Sequence, residues 1–400
     1  MIQYRKALIL FLTFVILFEL MVIAVGTAAR PSWSHWGDEW HFQNTIKRFG
    51  EEISLYNLKH YEEMSTPLPF LAYALWGRLF GFELFPLRTF SLLVALITYL
   101  LFHRLLFVAS GSAASAFWGS ALLIGQPYMI GFSIFIYTDM LAILFLISAC
   151  LAHMKGRATW MGVSLALALL CRQYIGFLVL AVAVYHILRY LSLRQKKDLQ
   201  MLAGCVQACV PYAALVFYWG GLSPDSSMRT RYLDEGLYYH PAVLSLYVGL
   251  LFVYLWPLLA LRWRLLFRDY KAWLIALISS VFYLVFPVAP SKPSVDVGIF
   301  TVGLFHRALR FVWNDETFVQ VVFYVSFVLA FPVLACVVHS LVQKLRARRF
   351  DFALMLDLSI VSFFIVMPFS YLGWEKYFLP VVPLVILRLV LSGTRAPAVR

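Results

Sequence analysis

Long apolar runs separated by short polar segments follow one another along almost the whole chain. A run of about 20 apolar residues forms a helix long enough to cross a hydrocarbon core of about 30 Å, and a helix satisfies its own backbone hydrogen bonds within lipid. The pattern therefore predicts an all-α, polytopic membrane protein with about twelve spanning helices. The predicted spans are residues 7–26, 85–102, 113–130, 134–153, 157–171, 173–191, 200–220, 241–261, 271–290, 317–341, 352–371 and 377–393.

One polar stretch, residues 35–88, interrupts this pattern after the first predicted helix. Its carboxylates are Asp38, Glu39, Glu51, Glu52, Glu62, Glu63 and Glu83. A chain made of lipid-soluble helices has no structural need for a long acidic loop, so we interpret this loop as the part that carries the chemistry. The predicted organisation is a single transmembrane domain over residues 1–400, in which residues 27–84 form the first non-cytoplasmic loop.

The composition agrees with a membrane protein and argues against a nucleic-acid-binding one. The chain is 62% hydrophobic and 13% charged, with a mean hydropathy of +0.81, whereas soluble domains are about 25% charged. The net charge of +13 comes from basic residues in short clusters between apolar runs. Such clusters are typical of cytoplasmic turns, which carry an excess of Lys and Arg.

The positions of these clusters predict an orientation. With both termini in the cytoplasm, the basic clusters fall on the inside turns and most carboxylates fall on the other side. We therefore predict a multi-pass protein that works at its non-cytoplasmic face. The short cytoplasmic turns favour a prokaryotic cytoplasmic membrane with an outward-facing site. The alternative is an endoplasmic reticulum membrane with a lumenal site, which would show the same charge bias.

The first loop opens with a predicted short helix over residues 37–50, with Asp38 near its N-cap and Gly50 past its end. Phe42, Ile46 and Phe49 form an apolar stripe suited to the membrane surface. Asp38 and His41 are one turn apart and share a face. One interpretation is that Asp38 only caps the helix and Glu39 is solvated; the other is that an ionised Asp38 takes a proton from an attacking hydroxyl.

Several short motifs resemble the GT-C superfamily of glycosyltransferases that use polyprenyl-phosphate sugars. Asp38-Glu39 with His41 resembles the acidic first-loop motif of those enzymes. The motifs that follow it in the same order are Thr66-Pro67-Leu68, Trp76, Phe80-Gly81 and Leu87-Arg88.

A closer resemblance is to the dolichyl-phosphate-glucose α-1,2-glucosyltransferase family. It rests on Tyr137-Thr138-Asp139 at the head of a helix and on Arg172-Gln173. Lys376-Tyr377 with Leu379-Pro380 resembles the Arg-Tyr-x-Leu-Pro motif before the last helix of many GT-C members, with Lys in place of Arg. Tyr174 and Ile175 stand where the family has Thr-Asn, and the loop at residues 221–240 lacks the family's Gly-Asp-Lys element. The resemblance covers the first 180 residues well and the remainder loosely.

The resemblance implies an inverting glycosyltransferase with a GT-C fold. A hexose, glucose being the first choice, would pass from a polyprenyl- or dolichyl-phosphate donor to a hydroxyl of a lipid-linked glycan or other glycoconjugate. The acidic pair Asp38 and Glu39 would be catalytic, with Asp38 as the base. A departing phosphate needs cations, and the candidates are Arg172, Lys376 and Arg88.

The remaining candidates would bind substrate. They are His41, Asp139, Tyr137, Gln173, Glu62, Glu63 and Thr66, and Trp36, Trp40 and Tyr61 are candidates for stacking on sugar rings. No cofactor is predicted, although Asp38, Glu39 and His41 could together hold a divalent cation.

Structural alternatives stay open for most of these residues. Arg172 and Asp139 are also suited to a structural ion pair, Lys376 and Arg88 to interfacial snorkelling, and Glu62 and Glu63 to a solvated pair. The competing functions are a transporter or lipid flippase without transferase activity, which would place charges in mid-helix, and a structural subunit of a larger assembly.

Overall fold

Helices make up nearly all of the chain that the structure describes. The computed structural model describes residues 2–29, 34–224, 226–227, 229, 238–266, 270–296, 298–370 and 372–393, and no β-strand occurs among them. The first helices are α1 Ile2–Ala29, α2 Glu39–Glu51, α3 Leu55–His60, α4 Leu68–Phe80, α5 Leu84–Ser110, α6 Ala113–Ile124, α7 Pro127–Ile134, α8 Asp139–Met154 and α9 Ala158–Cys171. The others are α10 Gly176–Leu193, α11 Lys196–Trp219, α12 Pro241–Leu266, α13 Tyr270–Val285, α14 Lys292–Asp296, α15 Leu304–Val312, α16 Glu316–Arg346, α17 Phe352–Val366 and α18 Val382–Gly393.

The backbone divides into two compact units. The first comprises Met1–Val179 and Arg194–Asp234, and the second comprises Leu180–Leu193 and Glu235–Arg400. The all-α prediction is confirmed for the described residues.

Fewer helices than predicted are long enough to cross a membrane alone. Seven described segments have the length and composition of a span: Ala7–Ala24, Leu84–Ser110, Gln173–Leu193, Lys196–Trp219, Pro241–Leu261, Glu316–Arg346 and Phe352–Phe369. Four more apolar helices are shorter: Leu68–Phe80, Ala113–Ile124, Ala158–Cys171 and Trp273–Val285. The predicted count of about twelve is therefore not confirmed, although the chain is an integral multi-pass membrane protein.

The predicted spans 113–130 and 134–153 are wrong in their boundaries. The structure has α6, then α7, and then α8, and α7 and α8 meet at an angle of 109° across a short break. Pro127 lies at the start of α7, where its missing N–H costs little. Residues 135–138 between α7 and α8 are not helical, and the backbone N–H of Ile136 donates to the Glu39 side chain.

The apolar stripe of α2 packs against the rest of the protein, so the interpretation that the stripe faces the membrane surface is wrong. Phe42, Ile46 and Phe49 are all buried, in a core that also contains Tyr61 and Trp219. The helix also continues through Gly50 to Glu51. Gly50 instead leaves room for the side chain of Phe82, because a Cβ there would lie 2.2 Å from the ring of Phe82.

Two glycines set the close packing of α9 against α11. A Cβ on Gly162 would lie 2.7 Å from the carbonyl oxygen of Gly204, and a Cβ on Gly204 would lie 2.8 Å from the carbonyl oxygen of Ala158. Small residues allow helix backbones to approach in this way within lipid. This contact fixes α9, and with it the segment that follows α9.

A buried carboxylate joins three helices of the second unit. Asp357 of α17 is fully buried and accepts from Lys344 of α16 at 3.0 Å and from Nε of Arg388 of α18 at 2.5 Å. Ser340 donates to the same carboxylate at 2.9 Å. Because a buried charge needs both neutralisation and hydrogen bonds, these contacts fix the three helices relative to one another.

Replacing Gly162 tests the helix contact. Gly162→Ala places a methyl group against the backbone of Gly204, and overpacking of this kind costs about 1–3 kcal/mol. We expect a lower midpoint in thermal unfolding of the purified protein. Gly176→Ala is the matched control, because a Cβ there would meet nothing within 4 Å. Equal midpoints for the two variants would contradict the close contact.

Candidate active site

Asp38 lies at the N-cap of α2, where the predicted helix begins. Its side chain is 41% exposed and makes no capping hydrogen bond to the helix. The interpretation that Asp38 only caps the helix is therefore wrong. The preceding Gly37 has a φ of +58°, and a Cβ there would lie 2.8 Å from the Tyr137 hydroxyl. The glycine therefore leaves room for the Tyr137 hydroxyl beside the backbone of Gly37.

Glu39, the next residue, is fully buried. Arg88 donates to it twice, from Nε at 3.0 Å and from a terminal nitrogen at 2.6 Å. The backbone N–H groups of Trp36 and Ile136 also donate to it, at 2.7 and 2.9 Å. Glu39 is therefore not solvated, and Arg88 is a buried ion-pair partner instead of a snorkelling residue.

Asp139, at the start of α8, forms the second buried ion pair of the first unit. Arg172 donates to one carboxylate oxygen at 2.5 Å, and the Tyr174 hydroxyl donates to the other at 2.6 Å. Asp139 is 1% exposed and Arg172 is 7% exposed. The structural pairing that the sequence left open for these two residues is present, and it involves Tyr174, which stands where the related family has Thr.

His41 lies between Asp38 and Glu63. Its Nε2 is 3.7 Å from Asp38, and its Nδ1 donates to Glu63 at 2.7 Å. Burial by itself lowers the pKa of His41, but the hydrogen bond to Glu63 and the negative charges of Glu63 and Asp38 outweigh it and raise the pKa to about 9. The imidazole is therefore charged at neutral pH.

Glu62 and Glu63 are not a solvated pair, because only Glu62 is exposed. The Ser227 hydroxyl donates to Glu62 at 2.8 Å. Glu63 is 3% exposed, accepts from Thr45 at 3.3 Å, and has its pKa raised by burial, with the bond from His41 opposing that effect.

Two further contacts join this loop to the segment after α9. Gln173 donates from its side-chain amide to the carbonyl oxygen of Met64 at 2.7 Å, and Thr66 donates from its hydroxyl to the carbonyl oxygen of Leu169 at 3.0 Å. The structure therefore brings the segments around Asp38, Glu63, Asp139 and Arg172 together within the first unit.

The aromatic candidates separate by exposure. Tyr61 is fully buried and donates its hydroxyl to the carbonyl oxygen of Ser65, so it cannot stack on a sugar ring and that prediction is wrong. Trp36 is 38% exposed and stacks on Phe135, while Trp40 is 57% exposed. These two remain candidates.

Lys376 belongs to the second unit. It is partly buried, and its Nζ lies 6.0 and 5.6 Å from the ring centroids of Trp374 and Tyr377. The neighbouring Glu375 is fully buried and accepts from the backbone N–H groups of Phe305 and His306, at the start of α15, and from the Tyr254 hydroxyl. A carboxylate at a helix N-terminus is stabilised by the helix dipole, so Glu375 fixes the position of the segment that carries Lys376.

Sequence reasoning missed Glu375, Thr45 and Tyr174 as parts of these networks. For Glu375, the available signal in the sequence was its position next to Lys376, the predicted phosphate-binding lysine. Among the described residues, no group of three or more His, Cys, Asp or Glu side chains is arranged to hold a metal ion.

Comparison with known proteins identifies the family. The model of the DIE2/ALG10 family matches residues 66–283, which is more than half of the chain. The chain belongs to the DIE2/ALG10 family. This is a family of dolichyl-phosphate glucosyltransferases within the GT-C superfamily, so the protein is a glycosyltransferase that depends on a polyprenyl phosphate. The match includes Arg88, Asp139 and Arg172, whereas Asp38 and Lys376 lie outside it.

The chain is also similar to solved structures of ArnT from Cupriavidus metallidurans. The apo structure is 14% identical with a TM-score of 0.38, covering 94% of this chain and 76% of that one. The structure bound to undecaprenyl phosphate is 15% identical with a TM-score of 0.41, covering 96% of this chain and 77% of that one. No curated protein matches this DIE2/ALG10 family member significantly in sequence.

The Glu39–Arg88 pair can be tested by comparing single and double variants. Arg88→Gln leaves the Glu39 carboxylate buried without its cation, which costs about 3–5 kcal/mol, so we expect a clear loss in the thermal unfolding midpoint. Combining Glu39→Gln with Arg88→Gln removes both charges and should restore part of the loss. Arg78→Gln, on an exposed arginine, is the control. A midpoint for Arg88→Gln equal to that of the wild type would refute the pairing.

Proposed function

We propose that this protein is an inverting hexosyltransferase, with glucose the first choice of sugar, and that Asp38 is its catalytic base. The donor is a polyprenyl- or dolichyl-phosphate hexose, and the acceptor is a hydroxyl of a lipid-linked glycan or other glycoconjugate. The observation that carries the proposal is the contrast between the adjacent acids, since Asp38 is partly exposed and Glu39 is buried in an ion pair. Membership of the DIE2/ALG10 family favours this function over a transporter or a flippase.

The proposed reaction is a single displacement. Asp38 takes the proton of the acceptor hydroxyl as its oxygen bonds to the anomeric carbon. The bond between that carbon and the phosphate oxygen breaks, and its electron pair leaves with the lipid phosphate. A general base of this kind contributes a factor of about 10²–10⁴ to the rate. Glu39 has a positioning role in this proposal, because Arg88 and two backbone N–H groups already occupy its carboxylate.

Cations would stabilise the departing phosphate. We propose Arg172 for this role, because Gln173 and Thr66 tie its segment to the loop that carries Glu63. Lys376 is proposed as a second cation on its resemblance to the family motif. Arg88 is a weaker candidate, since both its Nε and a terminal nitrogen already donate to the buried Glu39. The mechanism as proposed requires no metal ion.

The proposed substrate contacts come from the groups around Asp38. His41 lies next to its side chain, Tyr137 lies against the preceding Gly37, and Asp139 is anchored beside Arg172. We propose that the reaction takes place at the non-cytoplasmic face with both termini in the cytoplasm, as the basic turns predict. The first choice of compartment is a prokaryotic cytoplasmic membrane, and the lumenal side of the endoplasmic reticulum is the alternative.

The assignment of Asp38 is tested with Asp38→Asn in membranes supplied with labelled polyprenyl-phosphate glucose. The amide cannot accept the proton, so we expect transfer to fall by about 10²–10⁴ while the unfolding midpoint stays the same. Glu51→Gln, on an exposed carboxylate at the other end of α2, should transfer at the wild-type rate. Normal transfer by Asp38→Asn would reject Asp38 as the base.

The role of Arg172 is tested by binding of a sugar-free polyprenyl phosphate. Arg172→Lys keeps the charge beside Asp139 but loses the planar guanidinium, which suits phosphate and carboxylate together. We expect affinity for the lipid phosphate to fall about tenfold, equivalent to about 1.4 kcal/mol, without a large change in the unfolding midpoint. Arg78→Lys is the control. If binding by Arg172→Lys were unchanged, Arg172 would only be the structural partner of Asp139.

A further inference from the structure

Glu63 has no role in the displacement described above, yet it is a buried carboxylate close to the proposed base. It lies after α3, outside any long helix, and is 3% exposed. A buried carboxylate is costly unless its oxygens are hydrogen-bonded and its charge is compensated. Its neighbour Glu62 is exposed, so sequence position alone does not account for the burial of Glu63.

We infer that Glu63 is a positioning residue that holds His41 toward Asp38. The inference rests on the proposed role of Asp38 as base and adds a second layer of residues to that site. The chain of contacts is Glu63 to Nδ1 of His41 at 2.7 Å, and Nε2 of His41 to Asp38 at 3.7 Å.

Contacts at both ring nitrogens fix the orientation of the His41 imidazole. A carboxylate oxygen can only accept, so Nδ1 of His41 carries a proton that it donates to Glu63. This leaves Nε2 as the nitrogen that faces Asp38. Thr45 donates to the same oxygen of Glu63 at 3.3 Å, and the ring of Phe42 packs edge-on against the imidazole at a centroid distance of 4.7 Å.

Glu63 is in turn fixed by the segment that carries Arg172. The next residue, Met64, accepts from Gln173, and Thr66 donates to Leu169. A series of contacts therefore runs from the segment of Arg172 to the segment of Glu63, and from Glu63 through His41 to Asp38. A displacement of Glu63 would disturb the base while leaving the Asp139–Arg172 pair in place.

The charges around His41 give the arrangement a pH dependence. Asp38 and Glu63 are the titratable groups that raise the pKa of His41 to about 9 against the effect of burial. Glu63 also faces Tyr61, whose pKa is raised by burial and by the charge of Glu63, so Tyr61 stays neutral. The stabilising charge on His41 is therefore fully present below its ordinary pKa and is lost as the pH rises through about 9.

Loss of that proton would affect the base directly. The imidazolium has two N–H donors and can serve Glu63 and Asp38 together, whereas neutral imidazole has one. The shorter contact is to Glu63, so deprotonation of His41 removes the positive charge that faces Asp38. We expect transfer by the wild type to decline on the alkaline side as His41 titrates.

The test compares Glu63→Gln with the wild type in purified full-length protein, by two readouts. The first is the pKa of His41 from NMR of isotope-labelled histidine, assigned with a His41→Gln sample; the second is kcat for transfer between about pH 6 and pH 10. Losing one of the two carboxylates beside His41 should lower the pKa of His41 by about one unit or more. The pH at which kcat declines on the alkaline side should fall by the same amount. Glu62→Gln should leave the pKa of His41 unchanged, and Glu51→Gln should leave the kcat profile unchanged.

The outcomes separate the inference from the proposed function. An unshifted His41 pKa in folded Glu63→Gln, or an equal loss of kcat at every pH, would show that Glu63 only supports the fold. If Glu63→Gln does not fold, His41→Gln takes its place and must lack the alkaline decline; a decline that persists overturns the inference. If wild-type protein transfers no sugar from any polyprenyl-phosphate donor, the proposed function fails, while the NMR readout still decides whether Glu63 holds His41.

Discussion

The first unit depends on the burial of one carboxylate, that of Glu39. A charge that is fully removed from water must be compensated by a cation and by hydrogen bonds, and Glu39 obtains these from α5 through Arg88 and from the break between α7 and α8 through Ile136. The Glu39 carboxylate also accepts from the backbone N–H groups of Trp36 and Ile136, which lie outside any helix. Non-helical backbone is tolerated near lipid only where protein groups provide such partners.

This constraint explains why two adjacent acids have different environments. Successive residues at the start of a helix point in directions about 100° apart, so when Glu39 faces inward, Asp38 faces the partly open side. Glu39 is held rigid by its partners, whereas Asp38 keeps an exposed face. His41, one turn further on, shares the side of Asp38 and connects it to Glu63. The ion pair of Glu39 therefore fixes where the proposed base points.

Buried carboxylates have the same structural use elsewhere in the chain. Asp139 joins α8 to the segment after α9 through Arg172. Within the second unit, Asp357 joins α16, α17 and α18, and Glu375 holds the start of α15 beside the segment of Lys376. The hydrophobic effect does not drive helices together in lipid, because the surroundings are equally apolar. Directional ion pairs and hydrogen bonds fix the elements in these places.

The sequence by itself determined the class of this protein and the identity of its polar motifs. Apolar runs of the right length impose helices on any chain that enters a bilayer, and the pairing of Asp38 with His41 followed from helical spacing alone. Tertiary structure decided the rest. Periodicity shows that one face of α2 is apolar but not what covers it, so the burial of Phe42 and Ile46 among aromatic side chains could not be read in advance. Spacing also cannot show which carboxylates are buried, because Glu63 differs from Glu62 only through the partners that the distant segments of the fold bring to it.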